Sequence, residues 1–538
     1  MYRDAIAPRR LRLGRVSGLT LLVVCSLLAV GLLFYLALAL RPESKREFAG
    51  EQELNIYCAA GIAKPVQEVL DAHNREFGTR FKLARTGGSG ELAGQIKTEF
   101  ETGVEKGADL YVTADPLLLD KARAEGIVAE RFELAEQRPV VAVRSEASVS
   151  IESFQALAKS DIRFGIASER AAVGKMVRQI AKRDGFLEEL ESRKVTEFEN
   201  VMTLAQALVT GSIDAALTWD TTVQQINRQS ETASPLRVLC RADPQDRVKS
   251  SIGIGVLTQS RNPALGLRLA RYLTAPGKAK PSFEKFGFTF LGGDHWAEKP
   301  EIHLYCGSMF TPVIEESVRE FARRESINLY PKWEGCGKLV TRMKTASGEN
   351  RFPDAYFACD EMFLERVQEH FQQPILVSNN EIVIAIRKEL DTVREPRDLL
   401  DSQLRIGICD PEQSALGTLT RLMLNEKPYE GWYSKIATQA AVVVDVGPTL
   451  VSQLAAGGLD AAIVYRSNIE ADPATRDKIR ILELDRSSRH SVARQPWAVS
   501  RTTRYPRLMN RMFEWIQRDQ NRKRFEEFGF KWVSPDRN

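Results

Sequence analysis

A glycine-rich stretch, Gly87-Gly88-Ser89-Gly90, offers the clearest chemistry in this sequence because it comes directly before a run with helical spacing. Glycine lets the backbone turn sharply and approach a ligand closely. The first N–H groups of a helix lack intrahelical partners and lie at the positive end of the helix dipole. Together with the hydroxyl of Ser89 they would form a binding site for a small anion. The alternative is an ordinary helix start after a strand, with no ligand.

The surroundings of this stretch occur twice in the chain. Four blocks of the first half return in the second: Glu53–Cys58 as Glu301–Cys306, Ala108–Asp115 as Pro353–Asp360, Ile213–Trp219 as Leu459–Tyr465, and Phe283–Phe288 as Phe525–Phe530. The spacing is far longer than the roughly 20–50 residues of solenoid repeats, so it predicts a duplicated domain. We place the two domains at residues 53–292 and 300–538.

Within each copy, short apolar runs alternate with segments of helical periodicity. In the first copy, strands are predicted at residues 54–58, 81–83 and 110–113, with helices between and after them. This order predicts an α/β fold with parallel or mixed sheets and helices on both faces. A strand at 139–143 would carry the chain into a second lobe, and one at 252–257 would bring it back. Two lobes with two crossings predict a cleft, where ligands bind at the carboxyl ends of strands.

Composition and charge limit the classes of partner. The chain has 538 residues, of which 43% are hydrophobic and 27% charged, which is typical of globular domains with sizeable cores. Its formal net charge of +4 is small for this length. The charge therefore gives no support for a nucleic-acid partner.

The N-terminal apolar segment, residues 16–40, is long enough to cross a bilayer as a helix. Five arginines precede it, so the positive-inside rule places residues 1–15 in the cytoplasm. Residues 41–52 would form a tether. The alternative is a cleaved signal peptide, whose apolar core is shorter, at roughly 7–15 residues. We therefore predict a single-pass transmembrane anchor in the inner (cytoplasmic) membrane, with the C-terminal part in the periplasm or outside the cell.

Three blocks of the first copy, Tyr57–Gly61, Gly88–Ile96 and Ala108–Asp115, resemble the molybdate-binding periplasmic proteins. Those proteins are type 2 solute-binding proteins of ABC importers. The resemblance extends over most of both copies and implies two tandem bilobal binding domains that close on a small ligand by hinge motion. In that family, two serines, backbone N–H groups and a tyrosine hydroxyl hold a tetrahedral oxyanion without a counter-charge.

Carried over position by position, the resemblance implies ten ligand-binding residues. They are Gly61, Ser89, Val173, Val201 and Trp219 in the first copy, and Ser308, Cys336, Leu416, Gly447 and Tyr465 in the second. Each copy keeps one serine of the pair, since Gly61 and Cys336 replace the others. A molybdate or tungstate site is implied, and the lost hydroxyl groups would weaken it or favour a different oxyanion.

Five of the seven cysteines fall at predicted strand ends around the clefts. They are Cys58, Cys306, Cys336, Cys359 and Cys409. Three interpretations stay open: small buried residues, a disulfide between Cys306 and Cys336, and a thiolate site for a soft metal. Because no Cys-x-x-Cys or histidine spacing accompanies them, we predict neither a metal site nor a cofactor.

The sequence shows no Ser/His/Asp set or carboxylate pair typical of catalysis, so we predict that the protein is not an enzyme. Asp115 and Asp360 are expected to cap the helices that follow them. Lys175 is expected on a solvated surface, with the rim of a cleft as the alternative. The predicted function is binding of a small oxyanion for uptake through an ABC permease. The alternative is a ligand-sensing or protein-contact domain whose clefts have lost donors.

Overall fold

The computed structural model describes residues 53–104, 107–194, 196–230, 234–243, 245, 247–346 and 352–533. The chain divides into a large compact unit, Leu54–Leu70 with Lys82–Asn538, and a small one whose described part is Glu53 with Asp71–Phe81. In the small unit the ring of His73 packs against Phe77 and Phe81, and its Nδ1 lies 2.8 Å from the hydroxyl of Thr79. His73 is therefore a structural histidine.

The first repeat builds two mixed sheets. Its strands are β1 (Ile56–Ala59), β2 (Leu83–Gly87), β3 (Leu110–Thr113), β4 (Val128–Gln137), β5 (Pro139–Arg144), β6 (Phe164–Ala167), β7 (Thr196–Phe198), β8 (Ala215–Trp219), β9 (Leu236–Arg241), β10 (Ser250–Leu257) and β11 (Thr289–Phe290). The first lobe has the strand order β11-β4-β10-β3-β1-β2, and the second lobe has the order β7-β6-β8-β5-β9. β1 runs parallel to β2 and β3, whereas β10 runs antiparallel to β3 and β4. The chain crosses between the lobes after β4 and again after β9.

Helices follow most of these strands. They are Ala63–Phe77, Ser89–Thr102, Pro116–Ala124, Phe154–Ala158, Ala172–Arg183, Leu187–Arg193, Val201–Val209, Asp220–Asn227, Pro263–Thr274 and Lys280–Lys285. The helix Ala172–Arg183 shows the general pattern, because Val173, Val177 and Ile180 are buried in the core of the second lobe while its lysines and arginines are spaced between them.

The second repeat follows the same order of elements. Its strands are β12 (Glu301–Gly307), β13 (Asn328–Glu334), β14 (Ala355–Phe357), β15 (Ile375–Arg387), β16 (Ile406–Cys409), β17 (Ala440–Val444), β18 (Ala461–Tyr465), β19 (Ile479–Glu483), β20 (Val492–Val499) and β21 (Lys531–Trp532). The long strand β15 pairs with β20 through its first half and with β18 through its second half, so it joins the two lobes.

The helices of the second domain largely correspond in order to those of the first. They are Thr311–Glu325, Cys336–Thr345, Glu361–Glu365, Ala415–Met423, Trp432–Gln439, Gly447–Ala455, Arg466–Glu470, Pro473–Arg476, Pro506–Ile516 and Asp519–Glu527. The sequence prediction of an α/β fold with mixed sheets in both copies is confirmed.

One repeated aspartate explains why its sequence block returns. The carboxylate of Asp109 accepts the backbone N–H of Asn55 at 2.8 Å, and that of Asp354 accepts the N–H of His303 at 2.8 Å. In each repeat this bond ties the start of the third strand to the start of the first strand. It satisfies a backbone donor that no neighbouring strand reaches.

A buried charge cluster joins the two repeats. Arg271 of the first repeat donates from Nη1 to the carbonyl and to Oε2 of Glu325, each at 2.7 Å. Arg511 donates to both oxygens of the same carboxylate, at 2.7 and 3.1 Å. All three side chains are buried, so one carboxylate holds two guanidinium groups away from water.

The predicted membrane location is wrong. Among the residues from 53 onward that the structure describes, no helix is both long and apolar enough to cross a bilayer. This finding contradicts the single-pass location in the inner membrane, which rested on hydropathy and charge alone. The apolar segment at 16–40 lies outside the described residues, as do residues 1–15 and the tether at 41–52.

Candidate functional site

A small cavity lies between the two lobes of the first repeat, and the starts of three helices form much of its wall. Gly88 and Ser89 begin the helix Ser89–Thr102, Ala171 and Ala172 begin Ala172–Arg183, and Asn200 and Val201 begin Val201–Val209. The positive dipole ends of these helices favour negative charge at this point. None of the residues that line the cavity carries a charged side chain.

The structure brings four of the five residues implied for the first repeat together in the cavity wall, and the fifth lies beside it. Gly61, Ser89, Val201 and Trp219 line the cavity, and Val173 is the second residue of the helix whose first residue lines it. They come from both lobes. Trp219 is buried at the end of β8, where the resemblance implied a tyrosine hydroxyl.

The hydroxyl of Ser89 is oriented by its neighbours. Its Oγ accepts the backbone N–H of Ala114 at 3.3 Å, and its carbonyl accepts the hydroxyl of Tyr111 at 2.5 Å. Because an N–H already points at the oxygen, the hydroxyl proton is left for an acceptor in the cavity. The side chain of Asn200 accepts the N–H groups of Met202 and Thr203, so it competes with any ligand for these two donors.

The two lobes of the first repeat are closed on each other. The N–H of Gly90 donates to the carbonyl of Arg170 across the cleft at 2.9 Å. The side chain of Gln225 donates to the carbonyl of Gly61 at 2.7 Å. The cavity measures about 20 Å³, which is room for about one water molecule. A tetrahedral oxyanion has five heavy atoms, so the lobes must separate before it can enter.

The second repeat uses the same closing contact. The N–H of Gly337 donates to the carbonyl of Gln413 at 3.0 Å, and Lys338 forms an ion pair with Asp445 of the other lobe. Cys336 takes the place of Ser89, because its Sγ accepts the backbone N–H of Cys359 at 3.1 Å.

Four of the five residues implied for the second repeat occupy the same positions on their elements as those of the first, and Ser308 is the exception. Ser308 begins a 3-10 turn, Cys336 begins the helix Cys336–Thr345, Leu416 is the second residue of Ala415–Met423, Gly447 begins Gly447–Ala455, and Tyr465 ends β18. The hydroxyl of Tyr465 is buried and finds no hydrogen-bond partner among the described residues. Gly447 and Leu416 are neighbours, since a Cβ on Gly447 would lie 3.2 Å from Leu416 Cδ2.

One pairing between the copies differs from the sequence match. The turn Ala60–Ile62 of the first repeat corresponds to the turn Ser308–Phe310 of the second. Ala60 is therefore the counterpart of Ser308, and Gly61 is the counterpart of Met309. A serine at 61 would also be crowded, because a Cβ there would lie 3.0 Å from Val201 Cγ2.

The cysteines of the described residues are all free thiols, so the disulfide between Cys306 and Cys336 is not formed. Within the same residues, no group of three or more His, Cys, Asp or Glu side chains could hold a metal ion. Burial raises the pKa of Cys306 well above its ordinary value. Cys306 is therefore a buried neutral thiol in the core of the second repeat.

Asp115 and Asp360 cap the helices that follow them, as predicted, each by accepting a backbone N–H at 3.0 Å. Their charge environments differ. Asp115 forms an ion pair with Lys175 of the other lobe at 2.8 Å, so Lys175 bridges the cleft and is not merely surface. The residue at the matching helix position in the second repeat is Thr418. Burial raises the pKa of Asp360 to about 6, against the opposing hydrogen bond from the N–H of Arg494.

The raised pKa of Asp360 predicts a pH dependence of stability. The folded protein takes up a proton near pH 6 that the unfolded chain takes up only near pH 4. The stabilisation is fully present below the unfolded value and is lost as pH rises through about 6. Relative to Asp360→Asn, the free energy of unfolding of the wild type should rise by about 1 kcal/mol from pH 7 to pH 5. Denaturant titrations of both proteins measure this, and parallel pH profiles would contradict it.

The contact that Gln225 makes across the cleft was not predicted from the sequence, and for Lys175 the cleft rim was the alternative interpretation. Gln225 is fully buried together with Thr221 and Thr222 on the helix that follows Trp219. Polar residues spaced three and four apart directly after a strand that faces the cleft were the available signal.

Comparison with known proteins identifies the family of this chain. The family model of the bacterial extracellular solute-binding proteins matches residues 54–289 and 302–531. The chain belongs to this family. It carries the family's domain twice, and this accounts for the repeated blocks and the repeated cleft.

Individual relatives of this solute-binding protein each correspond to one repeat. A Haemophilus influenzae protein named as a binding protein is 25% identical over 229 residues, which cover 42% of this chain and 87% of that protein. Bacillus subtilis YvgL, named as an ABC transporter substrate-binding lipoprotein, is 23% identical over 243 residues, covering 43% and 87%. The solved Azotobacter vinelandii periplasmic molybdate-binding protein is 17% identical, with 44% of this chain and 98% of that chain covered and a TM-score of 0.37.

Proposed function

We propose that this protein binds a small oxyanion between the lobes of each repeat and presents it to an ABC permease for uptake. The two binding domains are residues 53–292 and 300–538. In the first, the ligand is held by Ser89, by the N–H groups near Gly61, Val173 and Val201, and by Trp219. In the second, the corresponding donors are Ser308, Cys336, Tyr465 and the N–H groups near Leu416 and Gly447.

The observation that carries the proposal is the uncharged cavity onto which three helix starts converge. Neutral N–H and O–H donors bind an anion through charge-assisted hydrogen bonds, which are shorter and stronger than neutral ones. A cation would meet only the positive ends of the helices. Family membership and the transporter role named for YvgL support delivery to an ABC permease. The resemblance of the glycine-rich block supports molybdate or tungstate among the oxyanions.

A second candidate function is a ligand-sensing or protein-contact role in which the clefts stay shut. The small size of the closed cavity, about 20 Å³, favours it. The two functions differ in one measurable respect, because only the first requires the cleft to take up an oxyanion from solution.

Titration calorimetry of the full chain with molybdate, tungstate, sulfate and phosphate separates these functions. We expect one of the four to bind, and Ser89→Ala to weaken that binding by roughly 10- to 100-fold, since a hydrogen bond to a charged group contributes about 1.5–3 kcal/mol. Ser192→Ala is the matched control, because Ser192 is exposed and bonds only the turn of its own helix. Absence of binding to all four anions would contradict the oxyanion proposal and favour the second candidate.

A further inference from the structure

The second repeat differs from the first at a set of positions around the counterpart of Ser89. In the second repeat, Cys336 occupies the position of Ser89, Cys359 that of Ala114, Gly307 that of Ala59, and Tyr465 that of Trp219. Two of these exchanges introduce thiols, and one removes a methyl group. They fall at the point where the first repeat has its proposed ligand site.

The two thiols are in contact, and the glycine makes room for them. The Sγ of Cys336 accepts the backbone N–H of Cys359 at 3.1 Å. A Cβ on Gly307 would lie 2.1 Å from the Sγ of Cys359 and 3.3 Å from the Sγ of Cys336. An alanine, the residue at the matching position of the first repeat, would therefore collide with the Cys359 sulfur. Both sulfur atoms consequently lie against the same glycine.

The charge state of the pair is asymmetric. Burial acts to raise the pKa of Cys336, but interactions with the thiol of Cys359, the hydroxyl of Tyr356 and the N–H of Cys359 outweigh it and lower that pKa. The hydrogen bond to Cys336 raises the pKa of Cys359 in turn. Burial raises the pKa of the Tyr465 hydroxyl, and the neighbouring Cys359, Asp360 and Cys336 act in the same direction. That hydroxyl has no partner among the described residues.

We propose that Cys336 and Cys359 form a dithiol site for trivalent arsenic in the second cleft. This inference rests on the proposed function, since it assumes that the second cleft admits a small hydroxide or oxyanion. Soft sulfur donors prefer soft, thiophilic centres. Arsenic trihydroxide is uncharged near neutral pH, so a site without a counter-charge does not penalise its burial.

The binding step balances without an oxidant. Each thiol displaces one hydroxide from As(OH)₃, so two As–S bonds form, two As–O bonds break, and the two thiol protons leave with the hydroxides as two water molecules. Arsenic stays trivalent. One As–OH remains, and it supplies a hydrogen-bond partner for the hydroxyl of Tyr465. Two thiols suffice for this chemistry, which fits the described residues, where no group of three metal-ligating side chains is found.

The test is stoichiometry of arsenite binding to the reduced full chain, measured by equilibrium dialysis with elemental analysis. We expect one arsenic per chain. Cys336→Ser and Cys359→Ala should each reduce binding at least tenfold, whereas Cys240→Ser, outside the cleft, should leave it unchanged. The first two variants carry the residues of the first repeat at the same positions, and thermal unfolding checks that they fold. Failure of the wild type to bind arsenite, or unchanged binding in both cleft variants, would overturn the proposal.

A transplant into the first repeat gives an independent test. The triple variant Ala59→Gly, Ser89→Cys, Ala114→Cys copies the glycine and both thiols, and should raise the stoichiometry to two. A stoichiometry that stays at one would contradict the claim that these exchanges make the site. Molybdate calorimetry on the same proteins separates the two proposals. Arsenite binding without oxyanion binding refutes only the oxyanion proposal, and the reverse result refutes only the dithiol site.

Discussion

Gly90→Ala is expected to hold the first cleft open and to lower its affinity for an oxyanion by about 100-fold or more. The N–H of Gly90 donates to the carbonyl of Arg170, and a Cβ at this position would lie 2.7 Å from that carbonyl oxygen. The clash is with backbone, so no rotamer relieves it. A ligand held by one lobe alone loses two or more charge-assisted hydrogen bonds, at about 1.5–3 kcal/mol each.

Gly94→Ala provides the matched control for this prediction. Gly94 lies one turn further along the same helix, and a Cβ there meets nothing within 4 Å. Both substitutions favour the helix by up to about 1 kcal/mol, so only closure distinguishes them. Calorimetry with the oxyanion that the wild type binds should show wild-type affinity for Gly94→Ala and a large loss for Gly90→Ala. Equal affinities in the two variants would show that this contact does not govern closure.

Glu325→Ala, which removes the carboxylate at the junction between the repeats, is expected to lower the free energy of unfolding of the protein by about 3–5 kcal/mol. The substitution leaves two buried guanidinium groups, of Arg271 and Arg511, without their carboxylate. Breaking a buried ion pair by removing one partner costs this much because the remaining charge has no compensation. Urea unfolding followed by tryptophan fluorescence measures the loss.

Glu316→Ala is the control, since Glu316 belongs to the same helix but pairs with Arg524 at an exposed site. Exposed pairs contribute at most about 1 kcal/mol, so this variant should behave nearly as the wild type. A similar small effect for Glu325→Ala would contradict the role of the cluster.

The same cluster predicts loss of stability in acid. Burial acts to raise the pKa of Glu325, but Arg511 and Arg271 outweigh it and hold the pKa below its ordinary value. The stabilisation is therefore present above the ordinary carboxyl pKa of about 4.3 and is lost as pH falls through the lowered folded value. Glu325→Ala should lack this part of the acid dependence.

The sequence predicted the parts of the fold that local pattern determines. The block around Asp109 returns around Asp354, and each carboxylate accepts the equivalent backbone N–H, so the duplication is readable in the sequence. The residues implied for the first cleft lie at the ends of parallel strands in both lobes. Gly61 and Ser89 follow the parallel strands β1 and β2 of one lobe. Val173, Val201 and Trp219 lie after β6, after β7 and at the end of β8, which are parallel strands of the other lobe. Parallel neighbours and short connections are enough for that inference.

The parts that the sequence could not predict depend on contacts between distant segments. Glu325 pairs with Arg271 and Arg511, which lie 54 and 186 residues away in the sequence, and no local spacing encodes these pairs. The correspondence of Ser308 with Ala60 follows from the turns Ala60–Ile62 and Ser308–Phe310. The size of the closed cavity depends on side-chain packing of Trp219 and Val201, which pattern reading does not resolve.

The most direct test of the central claim is a crystal structure of the full chain soaked with tungstate, read from the anomalous signal of tungsten. We expect a tungsten position between the lobes of the first repeat, within hydrogen-bond reach of the Ser89 hydroxyl and the N–H groups at the starts of the helices Ala172–Arg183 and Val201–Val209. Tungsten found only on the outer surface, with the cavity beside Ser89 still closed, would contradict it.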